Sequence, residues 1–492
     1  PWSEAAVAQG VAALDRAGLL DRVLVPIGRG AHRRRGRHRK PRARRFTFLP
    51  PLTFQVAILR SGDRLAGAFE RALGWAFSAV AAVLLTLAVV GSAATAWQGE
   101  AVYAALGSAL SPAVLLLVAA SLSMTTVVHE LAHAWTLKHN GGRPGRMGVM
   151  LFYLAPAFFC DVSDAWRLPH RSQRVKVALA GIITQMGLGG AASLAALRVN
   201  DPDLKQFLLL YAAGNLFAGL LNALPFVKLD GYIALMSHLD HPNLRSQSMA
   251  TVRAAAVRFF AQATPTGQQT PSQRAPTPLW QQVFGVGCLA VPVLLVARAL
   301  DNIVQSLASL GVVGKALVWL LLLVLTWLMG RAARRVVTEI RAGGPRWGRI
   351  AGTLAAVAVA LTGLGAATVT TTDTAGYVVR ENGMVELVVA DGQPQPALRP
   401  GEPVELQTGG LLLQNVTGHG AVTDTTPRGA SAPLTAFTSV RLDGIPVPVQ
   451  AYHLDVATRP SAPVGLARFD PRPIPLRDLV IQRLLAPTRS AP

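Results

Sequence analysis

The sequence contains little cysteine and little charge. Its 492 residues include only two cysteines, Cys160 and Cys288, and both lie in apolar surroundings. Two such residues supply neither a disulfide framework nor the CxxC pattern of a thiolate metal site. Charged residues make up 15% of the chain and hydrophobic residues 51%, with a mean hydropathy of +0.37. This balance excludes an ordinary soluble protein and predicts a polytopic membrane protein.

Acidic residues are also scarce. The chain has 26 of them against 47 lysines and arginines, which gives a net charge of +21. Residues 29–45 hold ten of these basic residues and no acidic one. Such a run can bind nucleic acid. Its position shortly before the first apolar run favours a juxtamembrane cluster that contacts anionic lipid and marks the cytoplasmic side. We therefore expect the lipid bilayer, and no nucleic acid, as a partner.

The stretch that indicates chemistry is His-Glu-Leu-Ala-His at residues 129–133, near the end of an apolar run. Residues four apart share one face of a helix, so His129 and His133 can direct two imidazoles at one metal ion. Glu130 is then placed to take a proton from water. Two helix histidines satisfied by ordinary hydrogen bonds are the alternative. The apolar context favours the metal site, because ionisable residues at membrane depth are costly and functional by default.

A second motif closes the apolar run 207–224. Its pattern, NxxPxxxLDG, contains Asn222, Asp230 and Gly231. The two motifs together resemble the site-2 protease family of intramembrane zinc metalloproteases, which pairs HExxH on one transmembrane helix with NxxPxxxLDG at the end of another. An aspartate in an ordinary helix-end turn is the alternative for Asp230.

This resemblance implies a set of roles. One Zn²⁺ per chain would be held by His129, His133 and Asp230, with Glu130 as the catalytic general base. Asn222 would help to position substrate or the developing oxyanion, and no organic cofactor is implied. Four histidines near the motifs are rival ligands, but they fall in polar loops and are predicted to be exposed to solvent: His139, His170, His238 and His241.

Seven apolar runs are each roughly long enough for a hydrocarbon core about 30 Å thick. They are residues 72–97, 103–135, 175–197, 206–224, 279–300, 307–329 and 350–369. Residues 147–160 are apolar but short and contain a proline, which predicts a re-entrant or interfacial element packed on the active-site helices.

The distribution of basic residues predicts how the spans are oriented in the membrane. With residues 29–45 inside, alternating spans place residues 129–133 and Asp230 at the same cytoplasmic face. The strongly basic loops then fall on that side as well, as the positive-inside rule requires. We expect a multi-pass protein of the bacterial cell (inner) membrane, with a cytoplasmic N-terminus and an extracytoplasmic C-terminal domain.

The domain organisation follows from these patterns. Residues 1–28 predict a helical segment, either an ordinary amphipathic helix or the end of a winged-helix domain, and residues 29–71 a basic cytoplasmic segment. Residues 72–369 form the transmembrane metalloprotease domain, with a cytoplasmic Pro/Thr/Gln linker at 265–278. Residues 370–492 contain β-branched runs and turns, including a hairpin signal at 381–383 and a run at 437–440. The predicted fold is mainly α: a membrane helix bundle of about seven spans with a site-2 protease-like core, followed by a small all-β domain.

The local sequence around residues 150–167 and 225–232 resembles a narrower branch, the peptide zinc metalloproteases that accompany ribosomally made and modified peptides, including the daptide pathway. This resemblance implies an endopeptidase that removes a leader or clips a membrane-anchored protein near the cytoplasmic face. Asp161 and Asp164 either shape the substrate entrance or form an Asx-type turn.

Two alternatives to a protease remain at this point. A non-proteolytic export or immunity component on the same scaffold has no chemical need for Glu130. A metal transporter would predict repeated halves with broken helices, and the sequence shows no internal repeat. The oligomeric state is left open.

Overall fold

The computed structural model describes residues 46–49, 53–152, 155–262, 278–308, 311–393, 395–396, 398–442 and 444–479. The helix predicted within residues 1–28, the basic run at 29–45 and all but the last residue of the linker at 265–278 lie outside the described residues.

Eleven α-helices make up most of the described chain. They are α1 (Asp63–Leu73), α2 (Phe77–Trp97), α3 (Gly99–Gly107), α4 (Pro112–His139), α5 (Arg171–Ala196), α6 (Pro202–Asn222), α7 (Asp230–His238), α8 (Leu244–Phe260), α9 (Leu279–Ala308), α10 (Gly311–Ala342) and α11 (Trp347–Ala366).

Within the described residues, seven helical segments are long and apolar enough to cross a membrane, which indicates a multi-pass membrane protein. They are Asp63–Trp97, Pro112–His139, Arg171–Ala196, Pro202–Asn222, Leu279–Arg298, Ala316–Ala342 and Trp347–Ala366. The mainly helical class and the number of spans predicted from sequence are therefore confirmed.

The second predicted span, residues 103–135, is wrong as one continuous helix. The chain leaves the helical conformation at Ser108 and starts again at Pro112, the first residue of α4. Proline suits the first turn of a helix because its missing N–H would be unpaired there. The side chain of Ser111 caps the new helix by accepting a hydrogen bond from the N–H of Val114 at 3.3 Å. Apolarity alone gave no sign of this break.

Helix α5 lies at the centre of the bundle. Its most apolar stretch is 61% buried, against 6% for α1 with α2. Small residues allow the close approach of α2 to α5, since a Cβ on Gly91 or Gly190 would overlap the backbone of the other helix. At the far end of this contact the amide of Gln98 donates to the carbonyl and the hydroxyl of Ser193, both at 3.0 Å. These buried polar groups are paired, as an apolar interior requires.

A four-stranded antiparallel sheet lies beside α4. Its strands, in spatial order, are β1 (Phe46–Leu49), β2 (Thr53–Leu59), β3 (Met147–Phe152) and β4 (Ala155–Cys160). The short apolar element predicted at 147–160 is therefore a β-hairpin. Met147 packs with Ala66 of α1 and Ala134 of α4, so the hairpin rests on the histidine-bearing helix. Strands β1 and β2 were not predicted from the sequence.

The C-terminal strands form a β-barrel. They are β5 (Thr368–Val379), β6 (Val385–Ala390), β7 (Pro403–Gln407), β8 (Val416–Val422), β9 (Arg428–Pro433), β10 (Pro446–Val456) and β11 (Val464–Pro475). Six of them close a ring in the order β6–β5–β11–β7–β8–β10–β6, and β9 pairs with β10 outside it. Tyr377, Leu387 and Leu406 are completely buried inside.

Two local predictions for the barrel have opposite outcomes. The hairpin at residues 381–383 is confirmed, with Gly383 at φ +82° between the paired strands β5 and β6. A strand at 437–440 is wrong. Only Val440 makes a β-bridge there, to Leu110, because this segment leaves the barrel wall and contacts the bundle instead.

The barrel rests on the end of the bundle opposite the histidines. Leu110, between α3 and α4, donates to the carbonyl of Ser439 at 3.1 Å and accepts from the N–H of Arg441 at 2.7 Å. The guanidinium of Arg441 also pairs with Asp203, in the first turn of α6, at 3.2 Å. His129 and His133 lie several turns away, toward the other end of α4.

Candidate metal centre

Two histidines on one face of α4 provide the first part of the site. His129 and His133 are 6% and 4% exposed, and their Nε2 atoms are 3.1 Å apart. Two polar rings in an apolar core require partners. The i, i+4 spacing that predicted a shared face is therefore realised, with both Nε2 atoms pointing at one place.

Asp230 brings a carboxylate to the same place from the opposite side. Its Oδ2 lies 2.9 Å from Nε2 of His129 and 3.4 Å from Nε2 of His133. Asp230 is the first residue of α7, preceded by extended backbone at Leu229. The following Gly231 packs against the backbone of Ala223, where a Cβ would overlap the carbonyl. Glycine at this position thus allows the tight approach that places the Asp230 carboxylate.

The charge state of Asp230 suits a metal ligand. Burial by itself would raise its pKa, but the neighbouring His133 and His129 more than offset this and hold the pKa well below its usual range. The carboxylate is therefore ionised at neutral pH. Metal ligands must be deprotonated to bind.

The three donors fit a zinc ion. They are the only group of three such ligand residues found in the described part of the chain, with donor atoms within 4.8 Å of one another. Donors about 2.0–2.1 Å from a tetrahedral zinc lie about 3.3 Å from one another. The observed separations of 2.9, 3.1 and 3.4 Å are close to that value. Imidazole and carboxylate are also ligand types that zinc accepts, and three protein ligands leave one position open.

The backbone of α5 fixes the orientation of His133. Its Nδ1 lies 2.6 Å from the carbonyl oxygen of Val177, and a carbonyl can only accept, so Nδ1 carries the proton. When the ring is neutral, Nε2 then keeps a lone pair that is directed at the site. Metal-binding histidines generally show this arrangement, in which the second ring nitrogen is tied to a carbonyl or carboxylate.

Gly181, also on α5, leaves room for the two imidazoles. A Cβ at this position would lie 2.5 Å from Nε2 of His129 and of His133, closer than real Cβ contacts come. Val177 and Gly181 are one helical turn apart and face the site together. Neither residue was predicted from the sequence, because the role of each is set by neighbours about fifty positions away along the chain.

Glu130 lies between the metal donors and the sheet. Its carboxylate lies beside the backbone N–H of Cys160, the last residue of β4. Burial, with the nearby charges of Glu130 and Asp161, raises the pKa of the Cys160 thiol to about 12. This cysteine is therefore a neutral thiol at pH 7, and it is not part of the donor cluster.

Asn222, the last residue of α6, is half-buried beside α5. Its Nδ2 donates to Oε1 of Gln185 at 3.4 Å, and Gln185 itself is 3% exposed. Gln185 lies one turn beyond Gly181 on the same face of α5 and was not predicted from sequence. The sequence feature that could have identified it is the spacing of residues 177, 181 and 185, which lie four apart on one face of a helix that was predicted only as a membrane span.

The rival histidines do not join the donor cluster. His139 is exposed, lies 3.0 Å from Glu70 and stacks on Phe77 with ring centroids 3.9 Å apart. His170 caps α5, and His238 is exposed at the end of α7. The expectation of exposure is wrong for His241, which is half-buried.

Asp161 and Asp164 stabilise the turn after β4. Oδ1 of Asp161 accepts from the N–H of Ser163 at 3.1 Å, an Asx-type turn. Asp164 accepts from the N–H of Arg143 at 2.8 Å and pairs with Arg167 at 3.3 Å. The side chain of Asp164 and the backbone of Asp161, which pairs with Gly145 and Arg146, connect the loop that precedes β3 to the turn that follows β4.

Comparison with known proteins is consistent with this chemistry. A stretch of 119 residues is 27% identical to the "Putative peptide zinc metalloprotease protein YydH" of Bacillus subtilis (strain 168). The match covers 24% of the chain and 45% of that protein, so the chain spans less than half the length of this relative. No protein-family model and no solved structure matches the chain. The similarity supports a zinc protease in general.

Proposed function

We propose that the chain is a zinc-dependent intramembrane endopeptidase with a site-2 protease-like core. The observation that carries the proposal is the convergence of His129, His133 and Asp230, which come from helices separated by about a hundred residues. Each donor occupies the position that the HExxH and NxxPxxxLDG motifs assign to a ligand. A buried ionisable cluster of this kind inside a membrane bundle is costly and needs a function.

In this proposal each group in the site has a separate chemical role. Bound zinc supplies a Lewis acid that makes water a nucleophile near neutral pH. Glu130 removes the proton from that water as it attacks the scissile carbonyl, and then delivers a proton to the leaving amine. The Asn222 amide, oriented by Gln185, is placed to donate to substrate or to the developing oxyanion.

The sheet offers a place for the substrate backbone. A helical peptide bond is hydrogen-bonded internally, so a substrate has to arrive extended or unwind. Among the described strands, β4 pairs only with β3, and its end contacts Glu130. An extended peptide can add to such an edge through main-chain hydrogen bonds. We propose that the cut lies in a segment held in this way.

The proposed topology keeps residues 29–71 and the metal-site end of the bundle in the cytoplasm and the barrel (within 370–492) outside the cell membrane. The barrel contacts the opposite end of the bundle from the site, which is consistent with this arrangement. The substrate that we propose is the leader region of a ribosomally made peptide or a membrane-anchored protein.

The proposal is tested with detergent-purified protein and candidate precursor peptides, analysed by mass spectrometry. We expect cleavage by the wild type and none by Glu130→Gln, which keeps the size of the side chain but removes the base. Glu100→Gln changes an exposed carboxylate on α3 and serves as the matched control, with cleavage retained.

The cleavage test, together with an assay of peptide export, distinguishes the protease from a non-proteolytic membrane component. A chain that binds zinc, cuts no precursor and still supports peptide export when Asp230 is replaced by alanine would be a non-proteolytic membrane component. Cleavage by Glu130→Gln at the wild-type rate would show that Glu130 is not the general base.

A further inference from the structure

Three consecutive leucines protrude from the barrel in the loop between β7 and β8. Leu411, Leu412 and Leu413 are 56%, 69% and 38% exposed. Surface loops are normally polar, and a contiguous apolar patch marks a site of contact with a partner or with lipid. The metal centre makes no use of this loop, which belongs to the other end of the bundle.

The loop is fixed to the bundle by its backbone. The N–H of Leu413 donates to the carbonyl of Leu106 at 3.4 Å, and Nδ2 of Asn415 donates to the carbonyl of Tyr103 at 3.1 Å. Gly410 packs directly on the backbone of Gly107, with no space for a side chain. These contacts fix the loop against helix α3, so the exposure of the leucines is not a result of a free loop.

The surrounding residues locate this contact at the edge of the apolar bundle. Helix α5 ends at Ala196 and α6 begins at Pro202, and the polar connection between them includes Asp201. Trp97 is 88% exposed at the end of α2, and Tyr103 is 53% exposed on α3. Exposed tryptophan and tyrosine are typical of the boundary between hydrocarbon and water.

We propose that Leu411, Leu412 and Leu413 insert into the membrane interface and anchor the barrel to lipid. The occupant of this surface is phospholipid, because the loop packs on α3 beside the exposed Tyr103, at the edge of the apolar bundle. Two arginines lie in this region: Arg468 donates to Gln414, the neighbour of Leu413, at 2.5 Å, and Arg441 pairs with Asp203 of the bundle. An apolar tip with cationic side chains in the same region matches the acyl chains and phosphates of the lipid headgroup region.

The test uses the full chain in lipid nanodiscs with one environment-sensitive NBD label. Cys160 and Cys288 are replaced by alanine, and the label is attached through Leu412→Cys or, as a second reporter, Leu411→Cys. Gln393→Cys is the matched control. It is exposed in the turn that follows β6, where its N–H donates to the carbonyl of Ala390 and not to the bundle.

We expect a blue-shifted NBD emission at position 412, strong loss of emission with phosphatidylcholine carrying a nitroxide near the top of its acyl chain, and no loss with aqueous iodide. The label at position 393 should show no blue shift, no loss of emission with the nitroxide lipid, and strong loss with aqueous iodide. Quenching of the label at 412 by iodide would overturn the proposal. A label at 412 that neither quencher reaches would overturn it as well, because protein, such as a second copy of the chain, would then cover the loop.

Discussion

Gly181→Ala is predicted to remove zinc from the protein without removing a ligand. The added Cβ would lie 2.5 Å from Nε2 of His129 and of His133, whereas ordinary contacts begin at 3.4 Å. The two imidazoles would therefore have to retreat by close to 1 Å, several times the tolerance of about 0.2 Å for a zinc–ligand distance.

The size of the effect follows from that displacement. Disturbing residues that only orient zinc ligands costs about 10–100-fold in affinity, which corresponds to about 1.4–2.8 kcal/mol. Because the alanine methyl contacts both donor atoms directly, we expect a loss of zinc affinity of at least about 100-fold. The assay is zinc content and competition with a chelator, measured on purified wild-type and variant protein.

Gly189→Ala separates this effect from misfolding. Gly189 lies on the same helix two turns away, and a Cβ there would lie 2.7 Å from the Cβ of Asn215, which binds no metal. This control should lower the unfolding temperature and keep zinc. Wild-type zinc affinity in Gly181→Ala would refute the arrangement of the two imidazoles described above.

Three further predictions concern the same site. Glu130→Gln should retain about one zinc per chain and lose cleavage, and a variant without zinc would show that Glu130 is structural. Asp230→Ala should lose zinc, while Asp203→Ala at the far end of the bundle should keep it, both by elemental analysis. Gln185→Ala should keep zinc and lower kcat/KM about two- to tenfold, which corresponds to the loss of one net hydrogen bond. An unchanged kcat/KM would show that the hydrogen bond from Asn222 to Gln185 does not contribute to catalysis.

The shared face of His129 and His133 was predictable because helical periodicity and motif spacing are local signals. Two histidines four apart share a face whatever the rest of the fold does. Asp230 was predicted through resemblance, since nothing local indicates that it meets residues about a hundred positions earlier. The number of apolar spans was predictable for a similar reason, because the thickness of the bilayer sets their length.

Long-range features were not predictable from the sequence alone. Strand β2 is specified by its pairing with β3, where Phe54 faces Leu151 across the sheet, and its own sequence has only a weak apolar alternation. The roles of Gly181 and Gln185 depend on which helices pack against α5. The segment 437–440 has strand-forming residues but bonds to Leu110 of the bundle instead, so a tertiary contact overrides its propensity.

X-ray absorption at the zinc edge of the purified protein tests the central claim most directly. The account predicts one bound zinc with two imidazole nitrogens and oxygen ligands at about 2.0–2.2 Å, and no sulfur. Loss of the zinc signal in Asp230→Ala should accompany that spectrum. A sulfur ligand at about 2.3 Å, or a wild-type protein that takes up no zinc, would contradict the assignment of His129, His133 and Asp230.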